Sequence, residues 1–250
     1  MVIRRHLAAP MGPMGLAILA ACRTMVPPTA IDPALSACVP TATVALAGID
    51  LDRLRASPLH ARLPPGAQAF LAPFGHSHYV LIASAGVELL TIARGVVPGA
   101  TQFAPELSLS GAGNLIAAAT AAHPPAGILA AAEGVAAASP IWIAVRGGSA
   151  LPLEGNLANV NNLLRGAEYV TLAGQPGEPT ELELVARCAT AEAALRFEQS
   201  FRAMVSLAAA GNARQPAAAN LLGSIRIRRE DRVVQVSLSA PVDALVKLLP

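Results

Sequence analysis

Hydrophobic and polar residues alternate cleanly in the second half of the chain. Leu182, Leu184 and Ala186 point one way while Glu181, Glu183 and Arg187 point the other, and Ile225 and Ile227 oppose Arg226 and Arg228. A two-residue period with one apolar and one charged face predicts antiparallel strands with one side buried. It assigns strands to 141–146, 169–173, 181–188, 225–229 and 232–239, the last two forming a hairpin. Between them the period lengthens. Ala194, Phe197, Phe201, Val205 and Ala208 form a helical stripe over 191–210. Thr190 is placed to cap that helix, and Gly211 to end it in a left-handed exit. Further helices are expected at 156–165, 216–222 and 242–249.

The first half reads less cleanly. Thr43–Ile49 is a strand, and Asp50 caps a helix through Leu51, Leu54 and Leu59. Ala67–Phe74 and His78–Ala85 read as a hairpin around Gly75. Val87–Arg94 is too short to assign to helix or strand, and Phe103–Ser110 is a strand. Asn114–Ala122 and Ile128–Ala138 are alanine-rich helices parted by Pro124-Pro125, which cannot continue a helix.

The two halves resemble each other. Ala104–Ile116 matches Val233–Leu245, each an alternating strand ending in Ser-Leu-Ser before a turn and an apolar helix. The match pairs Ser108 with Ser237 and Ser110 with Ser239. Val80–Gly86 matches Leu182–Cys188, and Thr43–Ile49 matches Ile141–Gly147. The fold class expected is therefore α+β, with antiparallel sheet and helices packed on one face. A strand-helix-strand-strand-helix-strand-helix unit is repeated over 41–139 and 140–250. Whether the repeats share one sheet is left open by the pattern.

Composition changes the picture at the N-terminus. The chain of 250 residues is 54% hydrophobic but 3% aromatic, with alanine supplying the difference. Its formal charge of +2 resides in Arg4 and Arg5, so residues beyond 22 are balanced. No basic stripe interleaved with aromatics is present, which argues against nucleic-acid binding. Residues 1–22 combine a basic start, an apolar core at Met14–Ala21 and small residues before Cys22, the pattern of a cleaved export signal. Leu19-Ala20-Ala21-Cys22 resembles the bacterial lipoprotein signal. That resemblance implies a lipid such as palmitate on Cys22, a membrane anchor and a cell-envelope address. Arg23 in the next position implies the outer membrane, facing the periplasm. Thr24–Pro40, with prolines at 27, 28, 33 and 40, reads as a stiff tether over 23–40.

Candidate chemistry is sparse. Cys38 and Cys188 could pair in an oxidising compartment, or remain buried thiols. His76 and His78 could share a surface metal, but no third ligand is evident in sequence. Gly147-Gly148-Ser149 could form an anion nest, though no helix follows it. Asp50 and Asp52 are explained by capping, and Glu181 and Glu183 by cross-strand charge pairs. No cofactor is implied. The expected function is a non-catalytic binding or scaffolding module in the envelope, with an envelope protein as possible partner. Its contact face would be Arg226, Arg228, Arg229, Glu181 and Glu183. A carrier of a small apolar or lipid-like ligand is the alternative, and a hydrolase the third reading.

Overall fold

The computed structural model describes residues 31–149, 151, 160–212 and 214–246. The signal and Cys22 lie outside the described residues. Among the described residues, ten strands form one antiparallel sheet in the order β4-β5-β3-β2-β1-β6-β7-β8-β10-β9. They are β1 (Ala45–Asp50), β2 (Tyr79–Ala85), β3 (Glu88–Arg94), β4 (Thr101–Ala104), β5 (Leu107–Gly111), β6 (Ile141–Arg146), β7 (Ala167–Gln175), β8 (Thr180–Cys188), β9 (Arg226–Glu230) and β10 (Val233–Ala240). The halves share this sheet, because β1 pairs with β6 from Ala45↔Val145 to Ile49↔Ile141. Counted outward from the seam, the order is 1-2-3-5-4 on one side and 6-7-8-10-9 on the other.

Trp142 closes the seam. It lies over Gly48 of β1, where an added Cβ would stand 2.3 Å from the indole ring. Its Nε1 donates to the Tyr79 hydroxyl at 2.7 Å. Burial pushes the Tyr79 phenol up to about 12, against the lowering effect of that bond.

Helices cover both faces, not the single face the sequence suggests. The front face presents Leu46, Leu81, Ile92, Leu109 and Trp142. It packs under α1 (Pro33–Ser36), α4 (Gly113–Thr120) and α5 (Leu129–Ala138) through Leu35, Leu115 and Leu129. The back face of the second half presents Val145, Val170, Ala186 and Val234. It lies under α6 (Val160–Leu164) and α7 (Ala191–Gly211) through Leu163, Ala194 and Phe197. A smaller back cluster joins Val80 and Ala93 to Leu51 and Leu54 of α2 (Leu51–Arg55) and to Phe74. The reason is chemical: strands β1, β2 and β6 are apolar on both sides, so one layer of helices cannot bury them.

Several local expectations change. Ala67–Phe74 is not a strand; α3 (Pro65–Leu71) runs into a 3-10 turn at Ala72–Phe74, with Pro65 at the start of the helix. The hairpin partner of β2 is β3, joined through Gly86 at φ +76°. Phe103–Ser110 is two strands, β4 and β5. The supposed tether is folded from Ile31 onward. Asp32 caps α1, Pro33 opens it, and Ile31, Leu35, Cys38 and Val39 are buried in the front core. Gly211 is the last helical residue of α7, and Asn212 caps it at φ −101° without a left-handed exit. α8 (Pro216–Gly223) packs beside α7, and α9 (Val242–Val246) closes the described chain. Only the first turns of the α7 stripe are buried; Phe201 and Val205 are half-buried and Ala208 is exposed.

The matched serines fall on opposite sides of the sheet. Ser108 pairs with Ala93 on the back face, whereas Ser237 pairs with Glu183 on the front. A one-residue offset in a strand alignment reverses every side chain. The match of β2 with β8 is likewise offset by a strand, since β8 holds the place of β3.

Candidate functional site

On the front face, α5 covers β6 and β7 and then stops. Its buried side carries Leu129, Ala132 and Ala136. Its flank carries Ala130, Ala131, Gly134, Val135 and Ala138, which form one wall of an open groove of about 500 Å³. The floor is a ladder of three cross-strand pairs: Ala173 with Glu183, Thr171 with Val185, and Tyr169 with Arg187. The wall is low because these flank residues are small. The floor is mixed because outward positions of β8 alternate with the buried Ala186 and Cys188.

The end of α5 is held firmly. Ser139 Oγ donates towards the Gly174 carbonyl at 2.6 Å and accepts from Gly174 N–H at 2.9 Å. The Gln175 side-chain amide donates to the Ala138 carbonyl. These bonds place the C-terminal end of α5 beside Gln175, at the Glu183 end of the groove. At the other end Arg187 is shared with a second depression of about 340 Å³, lined by Glu168, Glu230, Asp231, Arg232 and Gln235.

The expected contact face is partly assembled. Glu181, Glu183, Arg226 and Arg228 are exposed on the front side of β8 and β9. Arg229 is not with them. It points to the back, where its Nε donates to Glu198 Oε2 on α7 at 3.0 Å. Arg202 donates to the other oxygen, Oε1, at 2.9 Å. The bond from Arg202, with Arg229 beside it, holds the Glu198 carboxyl below the usual glutamate range. The cross-strand charge pairs expected for Glu181 and Glu183 do not form. β10 separates β8 from β9, and Ser239 and Ser237 stand opposite the two glutamates. Strand alternation places Arg187 outward, but its groove leaves no trace in sequence, because the Ala-rich flank of α5 carries no polar signal.

Cys38 and Cys188 are free, buried thiols in different clusters, Cys38 in the front core and Cys188 in the back. Burial raises the pKa of both thiols. His78 Nδ1 lies 2.9 Å from Asp52 Oδ2, on an exposed corner, and Arg55 holds the other Asp52 oxygen at 3.2 Å. The nearby cavity of about 450 Å³ is lined by Arg55, His60 and Gln68 but not by His78 or Asp52. His76 is exposed in the preceding turn. Among the described residues no three His, Cys, Asp or Glu side chains gather in a metal-binding group. Gly147 and Gly148 form no anion nest, for both N–H groups are spent on the Glu168 and Leu164 carbonyls. A side chain at Gly147 would strike the Ala167 carbonyl, which accounts for the glycine. No helix among the described residues is long and apolar enough to cross a membrane.

No family model matches the chain, and no curated protein matches it. Among solved structures, crystal form III of TP0453, a Treponema protein, aligns at a TM-score of 0.52 with 10% identity, over 87% of this chain and 97% of that one. Crystal form I aligns at 0.48, again with 10% identity, over 87% and 96%. At this identity the likeness is one of fold.

Proposed function

We propose that this chain is a lipid-anchored bacterial envelope protein whose α+β body is a non-catalytic binding module. Its working surface is the groove between α5 and β7–β8. The observation that carries the reading is the groove itself: firmly built at its α5 end, open to solvent, and lined by small apolar residues with a charge at each end. Leu19-Ala20-Ala21-Cys22 supports the address, with the lipid on Cys22 and the outer membrane, facing the periplasm, as the site. The Treponema neighbour is an envelope protein, which is in keeping with that address. The strand orders 1-2-3-5-4 and 6-7-8-10-9 support a duplicated origin for the body.

A carrier of a small apolar or lipid-like ligand is the second reading, favoured by the apolar wall of the same groove. Two experiments test the proposal. Mass spectrometry of the mature N-terminus should find an acylated Cys22, and Cys22→Ala should move the protein from the membrane to the soluble fraction. An unmodified chain starting upstream of Cys22 overturns the anchor. A photo-crosslinking residue at Val185 should capture defined envelope adducts in cells, and the same residue at exposed Leu207 on α7 should not. Equal capture at both positions, or none, overturns the groove as the working surface.

A further inference from the structure

One helix of the body is turned inside out. In α3, Ala67 and Leu71 are half-buried and the other five residues are exposed, Phe70 at 51%. From Leu63 to Gly75 the chain runs thirteen residues without a charged side chain or a histidine, bordered by Arg62 and His76. A surface helix ordinarily turns its polar side outward; α3 turns alanine and phenylalanine outward. The helix is firmly held all the same. Phe74 is buried in the back cluster with Ala93 and Val97, and its ring centroid lies 6.0 Å from that of Phe70. Arg55 donates to the carbonyls of Phe74, Gly75 and Ser77, and Gln68 Nε2 donates to the Leu63 carbonyl at 2.8 Å. The cavity of about 450 Å³ beside the helix is walled by Leu51, Leu54, Leu71 and Ala72, so the apolar surface continues inward.

The place where the chain enters the body decides what that helix faces. Asp32 lies 3.5 Å from Arg94, the last residue of β3. Its neighbour Ala93 packs in the cluster that holds Phe74. The entry point and α3 therefore share one end of the sheet, the first on the front and the second on the back. Nine residue steps separate Cys22 from Ile31, about 30 Å at full extension. Val87 and Leu89 are exposed as well, but they lie at the opposite end of β2 and β3, about 20 Å farther along the strands. A surface held that close to a bilayer meets it at high effective concentration, so even a weak apolar contact is occupied.

We propose that α3, led by Phe70, rests in the headgroup layer of the bilayer that holds the Cys22 lipid, so that the body stands on the membrane by this end. The proposal rests on the lipid-anchor reading and adds an orientation to it. An uncharged helix lying in the interface buries its outward side at the boundary of headgroups and acyl chains, while Arg62 and His76 stay level with the phosphates. The strand registers then fix the rest of the body. Gln175 and Glu181 lie at the membrane end of the sheet, and Arg187 lies at the far end. The α5 groove thus stands upright from the surface, with its Arg187 end pointing away.

The test uses the full chain, processed in a diderm bacterium and reconstituted in phosphatidylcholine vesicles whose acyl chains carry bromine, a fluorescence quencher. Trp142 is the chain's only tryptophan and is fully buried, so an added tryptophan reports its own position. Phe70→Trp should lose about half of its added fluorescence to the brominated lipid, and Val87→Trp, at the opposite end, about a tenth or less. Ala69→Glu combined with Phe70→Trp should reduce the quenching to the Val87→Trp level. Ala69 is exposed, so an unchanged melting temperature is expected and checks the fold. Equal quenching at positions 70 and 87, or none at position 70 in a chain that mass spectrometry finds acylated, overturns the orientation and leaves the anchor standing. An unacylated Cys22 removes the anchor and this inference together. Dimers of the Cys22→Ala chain that Ala69→Glu dissolves, seen by sedimentation equilibrium, assign α3 to a second copy and also overturn the proposal.

Discussion

The front face of the sheet is treated in opposite ways on its two sides. From β2 to β5 it is apolar and sealed: Leu81, Leu90, Ile92 and Leu109 are fully buried under α1 and α4. From β8 to β9 it carries glutamate, arginine, glutamine and serine, and stands open beyond the edge of α5. The back face reverses the arrangement, with its larger cluster under α6 and α7. The same strand order therefore supports a closed core on one side of the seam and an accessible surface on the other. The difference lies in which of two alternating sets of residues is apolar. Strand order fixes where a helix fits, and the outward residues decide whether the chain's own helix stays there.

The largest effect is expected where the two sides join. Trp142→Ala removes a fully buried indole and its bond to Tyr79, and should cost about 3–5 kcal/mol in chemical denaturation followed by circular dichroism. A loss below about 1 kcal/mol would mean that the halves are held together elsewhere. The next pair tests the contrast directly. Leu109→Ala, on the sealed side, should cost about 2–4 kcal/mol, whereas Val185→Ala, on the same face across the seam, should cost less than about 1 kcal/mol. Equal losses would remove the distinction.

Glu198→Gln should cost about 0.5–1 kcal/mol by loosening α7 from β9. Because Glu198 titrates below the ordinary glutamate value, its contribution is full at neutral pH. It is lost as pH falls through the lowered folded-state value. The gap in stability between wild type and Glu198→Gln should therefore close in acid, and a gap independent of pH would assign the effect to packing. Ser237→Val, exposed in the middle of the open face, should change stability by less than about 0.5 kcal/mol. A larger change would mean that this face is covered.

The second half was legible in sequence because each strand has one wet face. Leu182, Leu184 and Ala186 against Glu181, Glu183 and Arg187 announce both the element and its orientation. The first half was not, because strands buried on both sides lose the alternation: Val80-Leu81-Ile82-Ala83 reads the same in either direction. Residues 31–39 look like a linker when prolines are counted and like core when Ile31, Leu35 and Val39 are spaced on a helix. Arg229 shares its charge with Arg226 and Arg228, but strand parity places it on the other side. The groove is not legible in sequence because it is made by what α5 lacks. Alanine and glycine give no chemical signature, and only the register of β7 against β8 brings Arg187 and Glu183 to its ends.

The pairing of β1 with β6 also has a temporal consequence. Ala45 and Val145 must find each other across 100 positions of chain. A polypeptide that emerges from its N-terminus therefore completes the first half long before β6 arrives. Until then Ala45–Asp50 is a bare edge with apolar side chains on both sides, the kind of strand that recruits a stranger. A fragment ending before Ile141 should pair this edge with a second copy of itself. Its assembly state would show how closely two separate chains can imitate the joined one.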